Sequence, residues 1–242
     1  MKEYRKEILT PEDIAYMMDP SVLHIDSTPD DVIEMIGMCK KYGFGTAFCW
    51  PCNYPLLSEG LKDTKTVFGT SLAFPSGQEA TSTKVAMAKY FETMNPGEHD
   101  MVMNVGWLRS GRYDDVLADI KAVREAVPTK SLKVIIEAML LTDEQIVKAC
   151  NLAIEAGANY VKSGTGFSSP TTLHHVKVMK AAIGDRAHLK VAGGVRSLDT
   201  LLVMYKAGAD RFGIGWKSAE KIEKEAIARG TIDMSTIVVP EE

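Results

Sequence analysis

The sequence predicts one (β/α)8 TIM barrel over residues 1–242, carrying an extra helix at its amino end. Three observations point to it. Eight short apolar runs alternate with longer amphipathic segments, the pattern of βα units around a parallel sheet. No Ser-, Gly- or Pro-rich linker divides the 242 residues, a length close to the roughly 250 that such a barrel uses. The G-x-G-x-x-G fingerprint of a dinucleotide-binding open sheet is missing after the first run.

The elements follow in order. "TPEDIAYMM", with Pro11 at a first helical position, is the extra helix, placed to cover the barrel bottom. The strand runs are expected at residues 22–25, 46–49, 66–72, 100–104, 133–138, 160–163, 188–192 and 211–214. After the first run, "STPDDVIEMIGMCKKYG" offers Ser27 or Thr28 as cap and Gly43 as stop. "LTDEQIVKACNLAIEAGA" repeats that design with Thr142 and Gly157, and "SLDTLLVMYKAGA" with Ser197 and Gly208. "EAGANYVK" and "KAGADRFG" echo one another about two βα units apart, as a repetitive barrel would.

Composition narrows the function. Hydrophobic residues make up 45% and charged residues 25%, ample for a core. With a net charge of -4 and scattered Lys and Arg there is no basic footprint, so nucleic acid is not an expected partner. No apolar stretch approaches the roughly 20 residues of a membrane span, and "MKEYRKEILTPEDI" lacks a secretory core; no membrane association and a cytoplasmic location are expected. Cys39, Cys49, Cys52 and Cys150 are too few and irregular for a disulfide framework. Cys49 and Cys52 have C-x-x-C spacing, but no second pair or nearby His completes a zinc site. No metal is expected.

The chemistry of such barrels lies at the carboxyl ends of the strands. Lys162 closes the sixth run and Lys190 lies in the seventh. Neighbouring strands are about 4.8 Å apart, so two inward lysines at one height would repel. Repulsion and burial both favour a neutral amine, which is a nucleophile that forms Schiff bases with carbonyls. Asp100 opens the fourth run, sharing a face with Val102 and Asn104, and is a partner for a lysine. Asp19, expected in the turn before the first strand, is a candidate partner for Lys190. Three turns, "SGTGF" with Thr165 and Gly166, "AGGVRS" with Gly193, Gly194 and Arg196, and "GIGWKS" with Gly213, Gly215 and Lys217, suit an anion.

These motifs resemble the deoxyribose-phosphate aldolase family of class I aldolases. "YVKSGTGFS" is similar to its V-K-T-S-T-G-F stretch, "LKVAGGVRS" to its K-x-[AS]-G-G-[IV]-R segment and "HDMVMNVGWLRSG" to its D-M-V-I-N-I-G-x-L-K-S-G stretch, the likeness covering most of residues 15 to 215. The resemblance implies that Lys162 forms the Schiff base, Lys190 depresses its pKa, and Asp100 joins a proton relay through water. It places Asp19 and Cys49 on active-site positions and Gly166, Gly193, Gly194 and Gly213 in a backbone phosphate cradle. It further implies a sugar-phosphate substrate, cleavage of 2-deoxy-D-ribose 5-phosphate, no cofactor, and a homodimer. The family's last phosphate turn is typically G-x-S-S, whereas Gly215-Trp216-Lys217 stands here. The expectation is that an indole reshapes the anion site while Lys217 substitutes charge for lost hydroxyls. That departure keeps a different phosphorylated sugar open as an alternative, beside a barrel that binds sugar phosphates without turnover.

Overall fold

The computed structural model describes residues 5–240. Eight parallel strands close a barrel in chain order: β2 (Met18–Val22), β3 (Thr46–Cys49), β4 (Val67–Leu72), β5 (Glu98–Val102), β6 (Ser131–Ile135), β7 (Tyr160–Lys162), β8 (His188–Ala192) and β9 (Arg211–Gly215), which returns to β2. The helices form the outer layer: α2 (Pro29–Tyr42), α3 (Tyr54–Gly60), α4 (Thr81–Glu92), α5 (Val105–Arg109), α6 (Tyr113–Ala126), α7 (Asp143–Glu155), α8 (Leu173–Ile183), α9 (Leu198–Ala207) and α10 (Trp216–Arg229). The predicted barrel is the observed one.

The helix punctuation read from sequence is physically realised. Thr28, rather than Ser27, caps α2 in a capping box with Asp31, and Gly43 ends it at φ 72°, a left-handed conformation that glycine adopts without strain. Thr142 caps α7 with Gln145 in the reciprocal role, and Ser197 accepts the Thr200 amide at the start of α9. The extra helix is α1 (Pro11–Met17), capped by Thr10. It runs straight into β2 at the barrel's amino end, where the Arg211 guanidinium lies 5.4 Å from the Tyr16 ring. A short antiparallel pair, β1 (Ile8–Leu9) with β10 (Ile232–Asp233), ties the two ends of the chain together. The tail then runs along the helical layer, Lys206 donating to the Met234 carbonyl at 2.9 Å and Lys177 to that of Pro240 at 3.0 Å.

Three strands begin earlier than the sequence suggests. The first is Met18–Val22 rather than 22–25, which moves Asp19 from a turn into the barrel wall. The fourth is Glu98–Val102 rather than 100–104, so Asp100 sits mid-strand and Asn104 instead caps α5, accepting the Trp107 amide at 3.0 Å. The fifth is Ser131–Ile135 rather than 133–138. The charged Asp19 and Glu98 imitate a turn at the starts of the first and fourth strands, while Ile136 and Ala138, fully buried past the end of the fifth, imitate a strand.

Outside the barrel, one buried ion pair joins α4 to α6. Lys84 and Asp119 are both without side-chain exposure and lie 2.7 Å apart, with Thr81 and the Val102 carbonyl completing the set. Removing one partner strands a charge away from water. Asp119→Ala should therefore destabilise by about 3–5 kcal/mol, whereas Lys84→Met with Asp119→Leu should be far milder. Urea unfolding of both variants checks this, and equal losses would refute the assignment.

Candidate active site

Strand register brings the charges together. Lys162 lies opposite Lys190, Lys190 opposite Arg211, Asp100 opposite Lys133, and Asp19 opposite Gly213. All of these side chains turn inward, away from the helical layer, and form a closed ring of contacts. Asp100 Oδ2 accepts from Lys162 Nζ at 2.8 Å and from Lys190 Nζ at 2.9 Å. Lys190 also meets Asp19 Oδ2 at 2.8 Å, and Asp19 is held in turn by Arg211 and by the Thr46 amide at 3.0 Å. Thr46 Oγ1 accepts from Arg211 at 3.1 Å and donates to Glu98 Oε2 at 2.7 Å. Glu98 pairs with Lys133, which reaches back to Asp100 Oδ1 at 3.5 Å.

Four cations thus face three carboxylates, and the excess is one positive charge. Arg211 cannot lose a proton. Lys190 and Lys133 each touch two carboxylates, whereas Lys162 touches Asp100 alone. Lys162 is therefore the member whose neutralisation costs least. Burial, chiefly, pushes its pKa down to about 8; Asp100 opposes this, while Lys190 and Lys133 add to it. Lys190 behaves in the opposite sense. Burial would lower it, but Asp100 and Asp19 outweigh burial and hold it above the ordinary lysine value. The same ring carries Asp19 down to about 2 through Arg211 and Lys190, against the upward push of burial. It holds Asp100 well below the usual carboxylate range, again against burial. Lys190 repulsion is thus a secondary cause of the Lys162 shift, behind burial.

Aromatic rings supply that burial. The Phe48 ring has Lys190 Nζ 4.4 Å, Lys133 Nζ 5.6 Å and Lys162 Nζ 6.0 Å from its centroid, and Phe74 lies 6.0 Å from Lys162. Phe74, Trp50 and Phe167 pack edge to face above, with centroids 5.4 to 6.3 Å apart.

A cavity of about 430 Å³ opens over Lys162 and Lys190 at the carboxyl ends of the strands. Asp19, Thr165, Gly166, Gly193, Gly194, Arg196, Gly213 and Gly215 all line it. Asp100 stands beneath, fully buried between the lysines. Gly193 and Gly194 have φ of 92° and 89°, and a Cβ at Gly194 would meet Pro170 Cβ at 2.7 Å, so this turn demands glycine. Gly213 has a different use. A Cβ there would press on Ala192 Cβ at 3.1 Å, so its bareness relieves the neighbouring strand, while the Lys190 and Lys162 stems would be met only at ordinary contact distances of 3.4 and 3.9 Å.

Two expected residues lie apart from the cavity wall. Cys49 is wholly buried, its thiol pushed up to about 12 by burial, and is no part of the lining. Lys217 is exposed and folds back over Trp216, 4.9 Å from the ring, while Ser218 lines the cavity. The indole itself packs into the hydrophobic core, so it does not reshape the anion site as expected. The first turn of α10 decides this. Successive residues of a helix point about 100° apart, and Ser218, two positions after Trp216, takes the inward direction.

Sequence reasoning missed Lys133, Glu98, Arg211, Phe48, Ser21 and His24. The first three carried a signal, being charges at the starts of apolar runs; Ser21 and His24 line the cavity from the first strand and its loop, which were misplaced. Among the described residues, no group of three or more His, Cys, Asp or Glu is arranged to hold a metal ion, and no helix is long and apolar enough to cross a membrane.

Comparison with known proteins agrees with this geometry. The family model for DeoC/LacD family aldolases matches residues 14–218. A deoxyribose-phosphate aldolase of Carboxydothermus hydrogenoformans is 40% identical over 205 residues, 83% of this chain and 90% of that protein. One from Rhizobium meliloti is 37% identical over 235 residues, 94% and 93% of the two chains. Among solved structures, QR15, an aldolase, superposes with a TM-score of 0.85 at 31% identity, covering 90% of this chain and 97% of its own. The deoxyribose phosphate aldolase of Aeropyrum pernix, described as a unique tetramer, gives 0.82 at 25% identity, covering 89% and 92%.

The electrostatics make a direct prediction. In competitive acetylation of the folded protein, read by peptide mass, Lys162 should gain reactivity through a midpoint near pH 8, as its ammonium proton is released. Lys190 should stay unreactive beyond pH 10.5, its ordinary value. Replacing Lys190→Met removes one lowering charge and should move the Lys162 midpoint upward. An ordinary lysine midpoint for Lys162 in the native protein would contradict the charge ring.

Proposed function

The chain belongs to the DeoC/LacD aldolase family, and from that premise we propose that it reversibly cleaves 2-deoxy-D-ribose 5-phosphate to glyceraldehyde 3-phosphate and acetaldehyde through an imine on Lys162. One observation carries this reading: of the two lysines at the cavity floor, Lys162 is the one with a single carboxylate contact and a depressed pKa.

The open-chain aldehyde condenses with the neutral Lys162 amine, forming the C1–N bond and releasing water. The resulting protonated imine draws electrons from the C2–C3 bond as a base takes the C3 hydroxyl proton. Glyceraldehyde 3-phosphate leaves, and the enamine left on Lys162 is protonated at carbon and hydrolysed to acetaldehyde. Asp100, held ionised, accepts hydrogen bonds from Lys162 and Lys190 and orients a water that relays the protons. Lys190 remains an ammonium and holds that carboxylate in place. At the far side of the cavity, Gly193 and Gly194 bring backbone close to the phosphate, Arg196 supplies positive charge, and the amino end of α10 with Ser218 faces it. Thr165 already accepts the Phe167 amide on its hydroxyl oxygen at 3.1 Å, which leaves its proton for the phosphate.

The alternative of a different phosphorylated sugar rested on the Trp216 turn, and the burial of that indole removes its ground. A binding barrel without turnover has no use for a lysine kept short of carboxylates. We place the enzyme in the cytoplasm, in keeping with its four free thiols, and read it as a homodimer; sedimentation of the purified protein tests the latter, a monomer being the refuting result.

Borohydride reduction with 2-deoxyribose 5-phosphate should trap an adduct on Lys162, located by peptide mass. Lys162→Arg should lose both the adduct and at least a thousandfold of the activity, since an always-charged guanidinium cannot condense. An adduct on Lys190 would reverse the two roles.

A further inference from the structure

We propose that Glu137 is a positioning residue for the phosphate end of the substrate, acting as a clamp on the loop that follows β7; this rests on the sugar-phosphate reading above. Glu137 lies just past the end of β6, with no part in the charge ring. Its backbone is in the left-handed region at φ 51°, one of a few non-glycine residues there, and its side chain is buried, the residue being 6% exposed. Non-glycine residues persist in that region only where their surroundings over-determine them, and they gather at functional sites.

What holds Glu137 there is the loop itself. Oε2 accepts the Thr165 amide at 2.8 Å and Oε1 accepts the Ser168 hydroxyl at 2.5 Å. The adjacent Ala138 amide donates to the Ser163 carbonyl at 2.7 Å, so the two chain segments are joined by backbone as well. Gly164 permits the approach, since a Cβ there would meet Met139 Cε at 2.6 Å and Glu137 Oε1 at 3.5 Å. Between the two clamped residues lie Gly166 and Phe167. Gly166 packs against Gly193, where a Cβ on the latter would meet Gly166 Cα at 3.3 Å, so the clamp also braces the turn after β8. Phe167 closes the aromatic cover over Lys162. A carboxylate is the suitable clamp because a charged acceptor bonds an N–H and an O–H about twice as strongly as a neutral one. Its oxygens face the loop from the side away from Lys162, in a second cavity that shares Thr165 and Phe167 as a common wall with the first.

The test compares Glu137→Gly and Glu137→Gln. Glycine adopts φ 51° without strain, so the first variant should fold while losing the clamp; glutamine keeps one carbonyl acceptor and should restore most of it. With Glu137→Gly, KM for 2-deoxyribose 5-phosphate should rise about tenfold while kcat stays within threefold, and unphosphorylated 2-deoxyribose should be cleaved as by the unmodified enzyme. Amide exchange across residues 164–168 should quicken about tenfold, read without any substrate. Equal losses on both sugars, or unchanged exchange in that segment, would overturn the clamp. If the unmodified enzyme cleaves neither sugar, the function reading fails instead, and the exchange measurement together with the affinity for inorganic phosphate still decides the clamp, an unchanged affinity refuting it.

Discussion

The site depends on one constraint: a barrel interior that holds four cations and three carboxylates nearly out of water. Burying a charge is expensive unless it is paired, and the penalty for an unpaired ion in such a setting is several kcal/mol. The ring of contacts meets that demand for every member but one proton. Releasing this proton from Lys162 leaves the interior balanced, and it leaves the released lone pair at the cavity floor. Nucleophilicity here is the remainder of a charge balance rather than a property of one side chain. Lys190 serves it by staying charged, since a cation that satisfies Asp100 and Asp19 denies Lys162 the company that would keep it protonated.

This balance requires precise heights, and parallel strands supply them. Each βα unit repeats the same rise, so residues opposite one another in register stand at one level, and alternation sends them to the same face. The registers of Lys162 with Lys190 and of Asp100 with Lys133 follow from main-chain hydrogen bonds that no side-chain change disturbs. The charged groups therefore sit on the stiffest part of the molecule, while the anion contacts sit on turns between the strands and helices.

Much of this was legible in the sequence, and the limits have physical causes. Lys162, Lys190 and Asp100 stood out because a charge within or closing an apolar run has no bland place to go. Lys133 and Arg211 are buried and Glu98 largely so, yet each stands at or near the start of a run, where a charge ordinarily marks the way out to solvent. Only register shows that they turn inward. Asp19 was misplaced for the same reason, since Asp-Pro reads as a turn while Pro20 here lies within a strand. Helix phase caused the remaining errors. The order Gly215-Trp216-Lys217-Ser218 names the candidates for an anion site but not which of them faces it, and the core claims the indole because it is the largest apolar group available. Glu137 lay inside the expected fifth run and was passed over, because its role arises from a backbone conformation and a loop about thirty residues away.

The separation between rigid charges and adjustable loops bears on how such a site can change its substrate. A substitution among the strand residues disturbs a ring in which Asp100 serves three cations and Asp19 two, so its effect spreads to the other members. A substitution in the turns after β8 or β9 meets no such coupling. The altered turn at the start of α10 shows this within the chain itself: Lys217 and Trp216 are accommodated outside the cavity, Ser218 keeps a hydroxyl inside it, and the ring beneath is undisturbed. Between the two zones stands the loop held by Glu137, whose Phe167 packs on Phe74, itself 6.0 Å from Lys162 Nζ, and whose Thr165 and Gly166 line the cavity. It borders both zones, meeting through Phe74 the surroundings of Lys162 and through Thr165 and Gly166 the open space above.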